Sequence, residues 1–194
     1  MKHIEVPSHI KGLIFDCDGT LVDSMPLHMK AWEYAITSAG SPWNYDFLFS
    51  KKGMQSKDIL ALYNSEFKLS LNVKEVVAKK QEYFRNHFKE MQEIRIVTDV
   101  VRRYAGKMPM AVASGGSRSN VTLQLEIAGI RKYFSVVLTA DDDVKPKPSP
   151  DIFLEAARQI GVEPKLCQVF EDGDIGLDAA KAAGMLGTDI RPYL

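Results

Sequence analysis

Two aspartates, Asp16 and Asp18, follow an apolar run at residues 10–15 and carry the first chemical signal in the sequence. Alternate residues of an extended chain point to the same side, so both carboxylates can face one site while Cys17 faces away. Gly19 then allows a sharp turn. Two neighbouring carboxylates repel each other, and such a pair usually binds a cation or shares a proton. An ordinary Asp-Gly turn at a strand end is the alternative, and these residues alone leave both open.

Other polar groups follow two further apolar runs. Glu171 and Asp172 form a second acidic pair, and carboxylate oxygens suit a hard cation such as Mg²⁺. Ser114 is followed by Gly115, a second glycine and a predicted helix, so it offers a hydroxyl and backbone N–H groups to an anion. A simple helix cap explains Ser114 equally well when it is considered alone.

Two lysines alternate with prolines in a loop before the helix predicted at residues 151–160. Lys147 is the candidate that would place a positive charge near the acidic pairs, and Lys145 is the alternative in the same run. The acidic run at residues 141–143 is interpreted as a solvated loop.

Strand and helix patterns alternate along most of the chain. Strands are predicted at residues 10–15, 110–113, 134–139 and 169–170. Helices are predicted at 99–104, after residue 117 to about 128, at 151–160 and from about 174 to 184. This rhythm predicts an α/β fold, with a parallel sheet covered by helices on both faces. Ligands of such sheets bind at the carboxyl ends of the strands, where each polar group described above lies.

One long block of residues, which contains no convincing strand, interrupts this alternation of strands and helices. Residues 24–92 carry helical patterns at 26–40, 57–67 and 74–90, and Asn72 with Glu75 resembles a capping box at the start of the last one. We expect this block to be an insertion that stands over the active edge of the sheet. The predicted domains are therefore a core of residues 1–23 and 93–194 and an inserted unit of residues 24–92.

Composition narrows the possible partners. The 194 residues contain 25 Lys plus Arg and 25 Asp plus Glu, so no global positive charge would attract nucleic acid or an anionic membrane. No apolar leader and no membrane-length apolar segment is evident, which predicts a cytoplasmic protein with no membrane partner. The two cysteines, Cys17 and Cys167, are expected to be small buried side chains.

Four motifs together resemble the haloacid dehalogenase superfamily. They are DCDGT at residues 16–20, the apolar strand that ends in Ser114, KPSPDIF at 147–153 and VFEDGDIGLDAAKAAGM at 169–185. They occur in the family's order and cover essentially the whole chain. The resemblance implies a Rossmann-like parallel sheet core with an inserted α-helical cap domain.

The resemblance also assigns catalytic and metal-binding roles. Asp16 would be the nucleophile that takes the phosphoryl group as an aspartyl-phosphate, and Asp18 the general acid and then the general base. The Mg²⁺ cofactor would be bound by Asp16, by the backbone carbonyl of Asp18 and by Asp172, with Glu171 in support. Dehalogenases lack the second aspartate, so the chain resembles the phosphoryl-transfer branch of the family.

The phosphate-binding residues implied by the resemblance are Ser114, Gly115 and Lys147. Lys147 is preferred to Lys145 because the KPSPDIF register aligns best with the third motif. Gly173 stands where the family often has serine, a departure that affects no core catalytic group.

The helical insertion resembles the small cap of sugar-phosphate phosphatases and of beta-phosphoglucomutase. His28 matches a cap histidine of such proteins, Lys80 resembles a cap lysine of the mutase, and Lys57 stands in the stretch where the mutase has a phosphate-gripping arginine. Each has a plain alternative as a buried histidine or a solvated lysine.

The resemblance therefore implies a Mg²⁺-dependent phosphatase acting on a small sugar phosphate, with the mutase as the alternative and a non-catalytic phosphate-binding module less favoured. The expected partner is a small phosphorylated metabolite. No obligate protein partner is implied. Neither the particular sugar phosphate nor the oligomeric state follows from the sequence.

Overall fold

A computed structural model describes residues 3–52 and 54–194 of the chain. The strands in these ranges are β1 Gly12–Phe15, β2 Val22–Asp23, β3 Gln92–Glu93, β4 Met110–Ala113, β5 Val136–Leu138, β6 Cys167–Glu171 and β7 Leu186–Asp189. Five of them form a parallel sheet in the order β5-β4-β1-β6-β7, and β2 pairs with β3 in a separate antiparallel ladder.

Helices connect these strands. They are α1 Met25–Ser38, α2 Tyr45–Ser50, α3 Ser56–Phe67, α4 Val73–Asn86, α5 Arg95–Tyr104, α6 Arg118–Ile127, α7 Asp151–Ile160 and α8 Asp174–Ala182. Short 3₁₀ turns lie at Phe88–Glu90, Arg131–Tyr133, Pro164–Leu166 and Arg191–Tyr193. None of the described helices is both long enough and apolar enough to cross a membrane.

The central strand β1 is buried along its whole length, as expected for a parallel strand with neighbours on both sides and helices on both faces. Its register pairs Leu13 with Met110 of β4 and with Gln168 of β6. Phe15 stacks on Phe170 with ring centroids 4.6 Å apart. Burying one phenyl side chain stabilises the fold by roughly 1.5–3 kcal/mol.

The two faces of the sheet are covered by different helices. Val97 and Val101 of α5 and Leu125 of α6 belong to one buried cluster, whereas Phe153 of α7 and Ala180 of α8 belong to another. This arrangement confirms the predicted α/β fold with helices on both faces. Both cysteines are buried and free, as expected.

Helices α1–α4, named here the helical unit, have a small core of their own. Trp32, Ile36, Leu60 and Tyr63 are central members of that core. The helix α4 begins after Asn72, whose side chain accepts hydrogen bonds from the backbone N–H groups of the second and third helical residues, consistent with the predicted cap.

The chain enters and leaves the helical unit through the β2–β3 ladder, which pairs Val22 with Glu93 and Asp23 with Gln92. The prediction that residues 24–92 lack strands is therefore wrong at Gln92. A ladder of two residues is too short to leave a period-two pattern in a sequence. The elements α2 and β7 were not predicted, and α5 begins at Arg95 rather than at residue 99.

Candidate active site

A cavity of about 360 Å³ lies between the carboxyl ends of β1, β4 and β6 and the helical unit. The chain brings together here every residue proposed for the site from sequence. They are Asp16, Asp18, His28, Lys57, Lys80, Ser114, Gly115, Lys147, Glu171 and Asp172. By contrast, Lys145 is exposed and is absent from the described lining.

Asp16 leaves the end of β1 and is tied to the neighbouring strand, since its backbone N–H donates to the carbonyl of Phe170 at 3.0 Å. Its Oδ1 accepts a hydrogen bond from Lys147 Nζ at 2.7 Å, and the same ammonium donates to Glu171 Oε1 at 2.5 Å. Its Oδ2 has no hydrogen-bond partner in the described part of the chain. Burial raises the pKa of Asp16 well above its ordinary value, although the Lys147 ammonium opposes that change.

Lys147 is itself buried, and its ammonium lies 5.0 Å from the centroid of the Phe153 ring. Burial alone would lower the pKa of Lys147, but the carboxylates of Asp16 and Glu171 raise it above its ordinary value. Burial also raises the pKa of Glu171, against the opposing effect of Lys147. Lys147 therefore stays charged and partly neutralises the acidic groups around it.

Asp16, Glu171 and Asp172 form a buried acidic cluster in which one oxygen of each lies within 4.8 Å of the others. Two like unit charges about 4 Å apart repel each other by about 4 kcal/mol at an effective dielectric constant near 20. Three such carboxylates exceed the charge of Lys147. The donor set, made only of carboxylate oxygens, fits a hard divalent cation.

Two glycines allow this cluster to be compact. Gly19 has φ +81°, and a Cβ there would lie 2.6 Å from Asp172 Oδ2. A Cβ at Gly176, in the first turn of α8, would overlap the carboxylate of Glu171. A side chain at either position would displace an acidic group, so the close approach of the backbone requires glycine there.

Asp18 is held through a single oxygen. Its Oδ1 accepts hydrogen bonds from Ser24 Oγ at 2.6 Å, His28 Nε2 at 2.7 Å and Gln124 Nε2 at 2.8 Å. Its Oδ2 has no hydrogen-bond partner among residues 3–52 and 54–194. Burial by itself would raise the pKa of Asp18, but His28, followed by Ser24 and Gln124, lowers it below the ordinary value.

His28 links Asp18 to Lys80 of α4. Lys80 Nζ lies 2.9 Å from His28 Nδ1, and an ammonium only donates, so Nδ1 is the acceptor and Nε2 carries the hydrogen that Asp18 receives. The imidazole stacks on Phe84 at 4.3 Å between ring centroids. Burial, aided by Lys80, lowers the pKa of His28 against the opposing effect of Asp18. Burial lowers the pKa of Lys80 to about 8, although Asp18 opposes this change.

Ser114 follows β4 and lines the cavity, and its Oγ accepts a hydrogen bond from the backbone N–H of Gly116 at 3.1 Å. The N-cap of α6 is Ser117, so Ser114 is not the cap that the alternative interpretation required. A Cβ at Gly116 would lie 3.2 Å from Asp18 Oδ2 and 3.4 Å from Ser114 Oγ. This glycine therefore lets the loop after β4 approach the free oxygen of Asp18.

Several residues of the site were missed from sequence. Lys52 Nζ donates to both the backbone carbonyl and Oδ2 of Asp172, each at 2.8 Å, and Thr20 Oγ1 donates to Asp172 Oδ1 at 3.3 Å. Ser24 and Gln124 were also missed. Ser24 follows the first motif closely and could have been considered. Lys52 and Gln124 reach the site only through tertiary contacts, and no local pattern marks them.

Comparison with known proteins agrees with the four motifs. The family model of haloacid dehalogenase-like hydrolases matches residues 10–184. The chain is 36% identical to the fructose-1-phosphate phosphatase YqaB of Escherichia coli strain K12 over 180 residues, which cover 93% of this chain and 96% of that protein. It is 29% identical to a phosphorylated carbohydrates phosphatase of Thermotoga maritima, over 91% of this chain and 82% of the relative.

Solved structures give the same result. CbbY from Rhodobacter sphaeroides in complex with phosphate superimposes with a TM-score of 0.80 at 25% identity, covering 92% of this chain and 84% of that one. A putative beta-phosphoglucomutase from Thermotoga maritima gives a TM-score of 0.69 at 26% identity, with coverages of 91% and 82%. The chain therefore belongs to the haloacid dehalogenase-like hydrolases.

Proposed function

We propose that the protein is a Mg²⁺-dependent phosphatase that hydrolyses a small sugar phosphate through an aspartyl-phosphate on Asp16. The observation that carries this proposal is the placement of Asp18 in the same cavity as Asp16, with one oxygen held by three donors and the other without a partner. A sugar as the leaving alcohol needs a proton, and on this proposal Oδ2 of Asp18 supplies it. The names of the relatives from Escherichia coli and Thermotoga maritima support the substrate class.

In the first step a carboxylate oxygen of Asp16 attacks phosphorus and the bond from phosphorus to the sugar oxygen breaks. The proton on Asp18 passes to that sugar oxygen, and the dianionic phosphate favours the protonated form of Asp18 beforehand by like-charge repulsion. In the second step water attacks phosphorus, Asp18 accepts the water proton, and phosphate leaves as Asp16 is regenerated. Ser114, Gly115 and Lys147 hold the phosphate oxygens in both steps.

The proposed Mg²⁺ ligands are Asp16, Asp172 and the backbone carbonyl of Asp18, with Glu171 in support. A bound divalent cation supplies charge neutralisation and a template for the phosphate. Without it, an incoming phosphate dianion would face the repulsion of the three carboxylates of the acidic cluster, which exceed the charges of Lys147 and Lys52 together.

We propose that residues 24–92 act as a cap over a core of residues 1–23 and 93–194. In support, the helical unit closes one side of the cavity and supplies His28, Lys57 and Lys80 to its lining. On this proposal the cap selects the sugar, whereas the core performs the phosphoryl transfer. The expected partner is a small phosphorylated metabolite.

The test is phosphate release from a panel that includes fructose 1-phosphate, glucose 1-phosphate and phosphoglycolate, with Mg²⁺ and with excess chelator. We expect Mg²⁺-dependent release from the sugar phosphates and loss of activity in chelator that added Mg²⁺ reverses. Full activity in excess chelator would contradict the metal requirement. Release from none of the sugar phosphates would overturn the proposed substrate class.

A phosphosugar mutase is the second candidate, and the contact between His28 and Lys80 beside Asp18 favours it, because both residues resemble cap residues of beta-phosphoglucomutase. Against it, no arginine is present among the described residues that line the cavity, and lysine replaces a bidentate arginine clamp poorly. Lys57 would have to hold the second phosphate.

The two candidates differ in their products. The protein is incubated with beta-glucose 1-phosphate, with and without the 1,6-bisphosphate, while glucose 6-phosphate and free phosphate are followed. We expect free phosphate without any need for the bisphosphate. Rapid formation of glucose 6-phosphate with little free phosphate would establish the mutase, and Lys57 would then be the first residue to replace.

A further inference from the structure

We propose that Gln124 is a positioning residue for the general acid, which holds Asp18 from the sheet side of the cavity, and that Cys17 fixes the orientation of the Gln124 amide. The inference rests on the proposed function, because it concerns the proton that Asp18 gives to the leaving sugar. None of the four sequence motifs includes Gln124.

Gln124 lies in α6 and is completely buried. Its Nε2 donates to Asp18 Oδ1 at 2.8 Å. The other two donors to this oxygen, Ser24 and His28, lie immediately before and within α1, at the start of the helical unit. Gln124 is therefore the donor that stays in place if the helical unit moves to admit substrate.

The orientation of a glutamine amide depends on its partners, because its oxygen accepts and its nitrogen donates. Cys17 Sγ lies 3.4 Å from Gln124 Oε1, and a thiol next to an amide oxygen acts as the donor. This contact directs Nε2 toward Asp18. Cys17 is fully buried and stands between the two aspartates in sequence, so the interaction belongs to the same short segment that carries the chemistry.

The three donors on Oδ1 determine which oxygen of Asp18 carries the acidic hydrogen. An oxygen that accepts three hydrogen bonds has no direction left for a hydrogen of its own, so protonation occurs on Oδ2. Oδ2 lies beside Gly116 in the cavity. Gln124 thus keeps the acidic hydrogen on the oxygen that faces the substrate.

The leaving group decides how much this positioning matters. A sugar leaves as an alcohol and needs the proton while the bond to phosphorus breaks, whereas p-nitrophenolate leaves as a stable anion. The parameter kcat/KM reports the steps up to release of that first product. It therefore isolates the proton donation from the later attack by water.

The variant Gln124→Met keeps the length of the side chain and removes the donor. We expect kcat/KM for fructose 1-phosphate, or for the best sugar phosphate of the panel, to fall about tenfold or more, as for a partial loss of general-acid catalysis. For p-nitrophenyl phosphate we expect a fall of less than about twofold, since that leaving group does not need the acid. Equal losses for both substrates, or no loss for either, would overturn the proposal.

Gln168→Met is the matched control. Gln168 is equally buried, but it lies in β6 and donates to the carbonyl of Glu5 and to Thr188 Oγ1 rather than to a site residue. Any loss it causes is expected to be the same for both substrates. Thermal unfolding of both variants separates altered stability from altered chemistry.

The pair Cys17→Ser and Cys17→Ala tests the orientation of the amide and replaces the first experiment if Gln124→Met does not fold. Serine keeps a donor for Gln124 Oε1 and should retain the wild-type ratio of kcat/KM values for the two substrates. Alanine should lower the sugar-phosphate value selectively. A selective loss of kcat/KM for the sugar phosphate in the serine variant but not in the alanine variant would contradict the proposal. An equal fall for both substrates in the alanine variant would also contradict it.

Failure of the proposed function would look different. In that case the wild type would release no phosphate from any sugar phosphate of the panel.

Discussion

The two sides of the cavity are built differently. On the sheet side, Asp16 follows β1, Glu171 ends β6 and Lys147 lies in the loop before α7. Their charges compensate each other through hydrogen bonds of 2.5–2.7 Å. On the helical side, Lys80 stands on α4 and meets one imidazole and two aromatic rings, and Lys57 stands at the start of α3. Strand ends and one adjoining loop thus position a dense set of charges, whereas helices present single side chains. We expect changes on the sheet side to affect kcat and those on the helical side to affect affinity or stability.

The strongest test of this comparison is Asp16→Asn. The change removes the proposed nucleophile without changing the side-chain volume, so we expect kcat to fall by at least about 10⁴-fold. Thermal unfolding should show a folded protein. Asp23→Asn, an exposed position in β2, serves as the control. Activity near that of the wild type in a folded Asp16→Asn protein would remove Asp16 from the mechanism.

Asp18→Asn should have the next largest effect. The amide still fills the space near Ser24, His28 and Gln124 but brings no acidic proton, so we expect kcat to fall by about 10²–10⁴-fold. Rapid-quench measurement of the two half-reactions checks both roles. Unchanged rates of phosphorylation and dephosphorylation would place the acid and base elsewhere on the sheet side.

On the helical side, Lys80→Met should change the pH dependence of stability. The pKa of Lys80 is 10.5 ordinarily and about 8 in the folded protein, so between these values the unfolded chain binds more protons and wild-type stability rises with pH. Relative to Lys80→Met, the wild type should gain about 3 kcal/mol over this range, since one pKa unit corresponds to about 1.4 kcal/mol. His28 and Asp18 are the titratable groups that face this ammonium.

Urea unfolding at several pH values above neutrality measures this difference. Lys79→Met, at the exposed neighbouring position of the same helix, is the control and should follow the wild type. A parallel pH dependence for the wild type and Lys80→Met would show that burial does not perturb Lys80.

The smallest expected effect concerns a lysine that connects the two sides of the cavity. Lys52, before α3, donates to Asp172 on the sheet side and so joins the two sides. Loss of these charge-assisted hydrogen bonds in Lys52→Met should raise KM about tenfold with little change in kcat. Lys51→Met, which replaces a lysine outside the described cavity lining, is the control. A fall in kcat instead would assign Lys52 to the chemistry of the sheet side.

The sequence predicted the parallel sheet because its central strands are short apolar runs followed by polar residues. It did not predict β7, where Leu186 is exposed and Gly187 interrupts the pattern. The six-residue helix α2 is too short to show a helical period, although Asn44 caps it: Asn44 Oδ1 accepts a hydrogen bond from the backbone N–H of Phe47 at 2.9 Å. Elements whose sheet or helix neighbours dictate their conformation leave little local signal.

The residues of the candidate site likewise divide into those that the sequence predicts and those that it does not. Asp16 and Asp18 lie two residues apart, and Glu171 and Asp172 are adjacent. Both pairs were predictable because each lies at the end of a buried strand. Gln124 sits 106 residues from Asp18 in sequence and is one polar residue in an amphipathic helix. Its importance depends on which way α6 faces after folding. Contacts of this kind follow from the assembled tertiary structure and have no signature in a single sequence.

The β2–β3 ladder has a consequence for how new specificity could arise. Both ends of the helical unit meet there, because Val22 pairs with Glu93 and Asp23 with Gln92. Paired strands lie about 5 Å apart, so an inserted segment needs only two adjacent ends to be accommodated. Recombination or protein engineering could therefore exchange this segment as one module between the same two attachment points. The strand order and the acidic cluster would be inherited unchanged, and only the segment proposed to select the substrate would vary.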